Sequence, residues 1–155
     1  MGMVRALRTW KAAIAAFVFM VVWLAALNLP RADYWFVPIS MIVPDVPHEG
    51  DVILFVEREI RRPAVGRWVV TVRRATEGGW TLHCPPAHGQ SDYKPDSIFP
   101  EPLTLEWWTE GQCSVTEPGR YFISTTWWFD PDWLPGERRT PPLVSNVFTV
   151  TEVDE

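Results

Sequence analysis

The chain has 155 residues, the length of one compact domain. Charged residues make up 21% and aromatic residues 14%, including 10 Trp, which excludes a disordered acidic tail and a charge-rich coiled coil. The 15 Pro are spread along the chain and exclude a helical bundle, because Pro breaks helix interiors.

The net charge of −5 is unevenly placed. All 19 acidic residues follow position 30, whereas the first eleven residues hold Arg5, Arg8 and Lys11. The rest of the chain carries 11 basic against 19 acidic side chains, a net of −8. Such a surface repels phosphate backbones, so no nucleic-acid partner is expected. The pairs Arg61-Arg62, Arg73-Arg74 and Arg138-Arg139 read as solvated edges and turns.

Residues 1–11 form a short basic segment. Residues 12–29 (AAIAAFVFMVVWLAALNL) contain one polar side chain, Asn28. At about 1.5 Å rise per residue the run spans roughly 27 Å, close to a bilayer core of about 30 Å. Trp10 precedes it and Tyr34, Trp35 and Phe36 follow, as interface-seeking aromatics do. The pattern predicts a transmembrane signal-anchor helix in a bacterial-type inner (plasma) membrane. The basic N-terminus is then cytoplasmic and the remainder periplasmic or extracellular. A cleaved secretory signal competes with this reading. A cut after Ala25 or Ala26, however, leaves Trp23 or Leu24 at the −3 position, where a small residue is needed.

Residues 30–50 contain four prolines and an apolar run, Val37 to Val43. They read as a membrane-proximal stalk that contributes an edge strand at most. Residues 51–155 then alternate short apolar runs with turn residues, the pattern of an all-β sandwich or barrel. Asp51 to Glu59 is a strand with Val52, Leu54 and Val56 on one face. Arg67 to Arg74 is the next, with Trp68, Val70 and Val72 inward. Glu77-Gly78-Gly79 turns it into Trp80 to Cys84, giving a hairpin. Residues 85–102 hold five prolines and read as a long loop. Leu103 to Thr109 alternates, which places Leu103, Leu105 and Trp107 inward and Trp108 outward. Arg120 to Phe129 is the longest strand. Asp130 to Pro142 is a second Pro-rich loop, and Asn146 to Glu152 closes the domain.

One stretch goes beyond periodicity. Glu117-Pro118-Gly119-Arg120-Tyr121-Phe122-Ile123 resembles the D-x-G-x-Y-x-C signature that opens the sixth strand of immunoglobulin-like domains. Glu117 stands for the Asp, Gly119 and Tyr121 match, and Ile123 replaces the Cys. The resemblance implies an Ig-like antiparallel β-sandwich of about seven strands. It implies that the Tyr121 hydroxyl bonds back to the loop, and that Trp68 is the core Trp of the third strand, against Leu54 and Ile123. The usual cysteine pair is absent, and the fold by itself gives no activity.

Cys84 and Cys113 both fall in the exported part, where two thiols are expected to pair; free buried thiols are the alternative. His83, Cys84, His88 and Cys113 offer zinc-type ligands, but His83 and Cys84 are strand neighbours and point to opposite faces. Asp92, Asp96, Asp130 and Asp132 offer oxygens without a calcium-loop spacing. His48, His83 and His88 are the only histidines, and no nucleophile elbow, P-loop or dinucleotide fingerprint occurs. No cofactor is implied. Trp107-Trp108 and Trp127-Trp128 each place one indole outward on a strand. Trp108, Trp128 and Trp133 are therefore the expected binding surface, unless the Pro-rich loops cover them as a second core. The expected function is a membrane-anchored, non-enzymatic extracytoplasmic module that binds another envelope protein. Carbohydrate binding through Trp108 and Trp128 is the alternative, and a small hydrolase ranks third.

Overall fold

The computed structural model describes residues 2–28, 31–47, 50–131 and 136–152, and their side chains except for 2–9, 27 and 28. The predicted binding residue Trp133 and the candidate ligands His48 and Asp132 lie outside the described residues. Helix α1 (Gly2–Asn28) precedes the β-domain, and every described side chain on it is exposed. Among the described residues no helix is long and apolar enough to cross a membrane. The span expected over 12–29 runs past Ala26, the last side chain described on α1.

Two antiparallel sheets form the domain. The small sheet pairs β1 (Phe36–Ile42) with β2 (Phe55–Ile60). The large sheet is built on β3 (Ala64–Thr76) and β6 (Gly119–Phe129), in register from Gly66↔Phe129 to Arg74↔Tyr121. β4 (Gly79–Leu82) and β5 (Ala87–Tyr93) share the outer edge of β3. β7 (Arg138–Arg139), β8 (Leu143–Val144) and β9 (Phe148–Val150) share the outer edge of β6.

Alternation decides which side chains meet between the sheets. Trp68, Val70 and Val72 on β3 are buried, as are Tyr121, Ile123, Thr125, Trp127 and Phe129 on β6. Phe36 of the small sheet closes on them, with ring centroids 5.0 Å from Trp127, 5.3 Å from Tyr93 and 5.4 Å from Phe129. The inward set predicted for β3 holds, Val52 and Leu54 are buried just ahead of β2 with Val56 half-buried on it, and Leu54, Trp68, Tyr121 and Ile123 all lie in the core. Ile123 pairs with Val72, however, and Trp127 pairs with Trp68. Trp68 therefore packs four residues away from Ile123, on a different set of rings.

Three segments depart from the sequence expectation. Within the expected stalk the described residues 31–47 are packed on the domain: Trp35, Phe36, Met41, Val43 and Val46 are core residues. Asn146 holds this segment by exchanging hydrogen bonds with the Val43 N–H and carbonyl, both at 2.8 Å. The loop over 85–102 contains β5. That strand buries only Ala87 and Tyr93, so its sequence shows no apolar alternation. Leu103 to Thr109 is no strand beyond an isolated bridge at Thr104, and Leu105–Trp108 forms one helical turn, α2. Thr104 caps it, accepting from the Trp107 N–H at 3.2 Å. Positions i and i+3 then share a face, so Leu105 and Trp108 go inward together and Trp107 goes outward.

Candidate binding surfaces

The turn α2 sets the first surface. Trp108, expected on the outside, is 0% exposed. Its Nε1–H donates to Thr125 Oγ1 at 2.9 Å, and its carbonyl accepts from Trp68 Nε1 at 3.1 Å. Trp107 takes the exposed role, at 46%. It stacks on Trp108 (6.0 Å, 24°) and on Trp68 (6.4 Å, 14°), and Phe99 meets it edge-on. This stack holds the Trp107 indole at the edge of the core.

Beside Trp107 lies an open cleft of about 640 Å³, lined by Trp68, Gln90, Ser91, Glu106 and Glu110. Trp68, Gln90 and Glu110 also line a second cleft of about 560 Å³ that reaches Trp128. Trp128 is half-buried on the outer face of β6, with the Arg139 guanidinium 5.3 Å from its ring. The expected aromatic surface thus keeps Trp128, loses Trp108 and gains Trp107. The backbone after α2 turns sharply, with Glu110 at φ 50° and Gly111 at φ 73°. Cys113, three residues past Glu110, is tied to Cys84 by the expected disulfide. That bond consumes both thiols and closes the zinc reading that needed them. Among the described residues no group of three or more His, Cys, Asp or Glu side chains could hold a metal ion.

The second surface follows the free edge of β2. Leu54 N–H donates to the Leu103 carbonyl, and Leu105 N–H to the Val52 carbonyl, each at 2.8 Å. Past these bonds the two chains separate, and Arg58 Nη2 closes the far end on the Ser97 carbonyl at 3.4 Å. A groove of about 960 Å³ opens between Phe55–Arg58 and Ile98–Pro102. Ile42 and its register partner Phe55 are 55% and 60% exposed on this face, and Ile98 is 89% exposed. Glu57 and Glu101 also line the groove. Arg58 is turned down onto the Phe99 ring, 3.3 Å from its centroid. Burial lowers its pKa from the usual guanidinium value, partly offset by Tyr93.

A third constellation is structural. The Tyr121 hydroxyl donates to the Glu117 carbonyl at 2.8 Å, four residues upstream. Arg74 clamps the same corner, ion-paired to Glu117 and bonded to the Pro118 carbonyl at 2.8 Å.

Sequence reasoning missed Trp107, Glu110, Gln90, Phe55 and Ile98. A signal existed for Trp107, since Thr104 is a favoured N-cap residue type and a helical turn started there turns Trp107 away from Leu105 and Trp108. No family model, curated protein or solved structure matches this chain.

Proposed function

We propose that the chain is a membrane-tethered, non-enzymatic interaction module whose extracytoplasmic Ig-like domain binds another envelope protein. The observation that carries this reading is the apolar groove along β2. It joins an unfinished strand edge to three exposed apolar side chains, Ile42, Phe55 and Ile98. A strand edge of this kind accepts an extended segment as an added strand. Glu57 and Glu101 beside it favour a segment that alternates apolar residues with Lys or Arg.

The Ig-like reading rests on three features. Tyr121 bonds back to its own loop, a Trp is buried on the strand that pairs with the Tyr121 strand, and a first strand crosses between sheets. The crossing is the step from β1 to Val46, which bridges Val150 of the large sheet in parallel. The tether reading rests on α1. Its large apolar side chains from Ile14 to Leu24 are 46% to 68% exposed and surround the helix, a surface suited to lipid. Arg5, Arg8 and Lys11 precede them and orient the helix with its start in the cytoplasm.

The test is photo-crosslinking in intact cells, with benzoylphenylalanine at position 98 and, as control, at exposed Val144. A discrete adduct from 98 alone, abolished by Phe55→Asp, is expected. No adduct, or one indifferent to Phe55→Asp, overturns the groove. Protease treatment of spheroplasts carrying a C-terminal tag tests the side of the membrane, and a protected tag overturns the extracytoplasmic placement.

A further inference from the structure

We propose that the paired clefts between Trp107 and Trp128 form a binding site for a neutral oligosaccharide. The site is separate from the β2 groove and does not depend on that reading.

The shape comes first. Sugar rings present one apolar C–H face and a rim of hydroxyls. Binding them needs a fixed aromatic plane with hydrogen-bonding side chains around it. Trp107 supplies the plane, held half-exposed by stacking on Trp68 and Trp108. Gln90 and Ser91 of β5 and Glu106 and Glu110 of the α2 segment line the same cleft. A carboxamide both donates and accepts, and carboxylates accept from hydroxyl donors.

Length comes next. The two clefts have Trp68, Gln90 and Glu110 in common, and they carry Trp107 on one side and Trp128 on the other. Two aromatic stations flanking a common polar centre fit a chain of several sugars better than a single ring.

Rigidity is built in. Thr104 caps α2, and Thr109 Oγ1 donates to the Leu105 carbonyl at 2.8 Å behind it. The Cys84–Cys113 disulfide holds the loop that carries Glu110. A preorganised cleft loses little entropy on binding.

Charge sets the class. Glu106, Glu110 and Glu137 line the clefts; of the cations there, Arg67 is ion-paired with Glu137 and Arg139 lies against the Trp128 ring, with His88 the remaining basic side chain of the lining. Uronic-acid chains are repelled by such a site, and neutral chains are not.

The experiment uses the full chain in a detergent without a sugar headgroup. Cellohexaose and chitohexaose are the neutral probes, and hexagalacturonate is the acidic control, read by calorimetry and Trp fluorescence. Binding of at least one neutral probe is expected, with no binding of the acidic one. Trp107→Ala is expected to weaken binding about tenfold or more, and Gln90→Ala about threefold. Gln90 lies outside the core, so its variant keeps the test decisive if Trp107→Ala fails to fold. The proposal is overturned if neither neutral probe binds. It is also overturned if binding survives both substitutions or if the acidic hexamer binds equally well.

Discussion

The indole of Trp68 lies across Gly89. A Cβ built at position 89 would sit 2.2 Å from Trp68 Cζ2 and 2.4 Å from its Cε2. β5 can approach β3 here because the strand has no side chain where the indole crosses. The packing ties a core residue to the strand that supplies Gln90 and Ser91.

Gly89→Ala should therefore destabilise the domain. The added methyl meets a buried ring that is stacked on Trp108 (5.5 Å, 17°). Overpacking of this kind costs about 1–3 kcal/mol. Gly78→Ala is the control, because nothing lies within 4 Å of a Cβ there. Urea titrations of both variants should show a lowered midpoint for Gly89→Ala alone. Equal midpoints would mean that Trp68 is free to move.

The neighbouring indoles Trp107 and Trp108 should separate cleanly. Trp108→Ala removes a fully buried ring and orphans the Thr125 hydroxyl that accepts its Nε1–H. A loss of about 3–5 kcal/mol is expected. Trp107→Ala removes a half-exposed ring and should cost about 1 kcal/mol. Thermal melts in parallel decide it. The opposite ranking would restore the strand reading of Leu103 to Thr109.

That reversal shows where sequence patterning stops being informative. Leu-Thr-Leu-Glu-Trp-Trp-Thr satisfies period two with Leu103, Leu105 and Trp107, and period three with Leu105 and Trp108. Over seven residues the two periods cannot be told apart, and the Thr104 cap decides between them. Longer elements were legible. β3 and β6 run 13 and 11 residues; the inward set of β3 follows from alternation, and that of β6 from alternation phased by the Tyr121 corner. β5 was not legible because its order comes from pairing with β3, and Ala-His-Gly-Gln-Ser-Asp-Tyr has little apolar content of its own. The segment 30–50 misled through its prolines. Pro38 adjoins a register shift in the pairing of β1, so the strand tolerates it. The candidate clefts were legible only as aromatic content, since their walls join β5 to α2.

Loss of the Cys84–Cys113 bond should destabilise the domain without abolishing its sheets. The bond joins the segment after β4 to the loop before β6, across 29 residues. In the chain-entropy model a loop of this size contributes about 3.6 kcal/mol. The double variant Cys84→Ser, Cys113→Ser should lose roughly that amount in urea unfolding, yet keep its far-ultraviolet dichroism. A stability equal to that of the parent would show that the unfolded chain gains little from the opened loop.

Alkaline pH should unfold the domain through Tyr93. This side chain is 3% exposed beneath the small sheet, 5.3 Å from the Phe36 ring. Burial pushes its pKa up from 10.0 to about 12, against the opposing pull of the Arg58 guanidinium 5.3 Å from its ring. Burial disfavours the phenolate, so the folded chain holds the proton after the unfolded chain has released it. Above pH 10 the unfolded state binds fewer protons, and stability falls as pH rises. The contribution is present in full below pH 10 and is lost as pH climbs to about 12. A shift of this size corresponds to a few kcal/mol, on the order of 1.4 kcal/mol per unit. Tyr93→Phe keeps the ring and removes the proton, so it should flatten the decline across this window. Tyr121, which burial also raises, is present in both proteins, and the difference between them isolates Tyr93. Urea unfolding at about pH 9 and about pH 11.5 measures it. Parallel declines in the two proteins would mean that Tyr93 reaches water in the folded state.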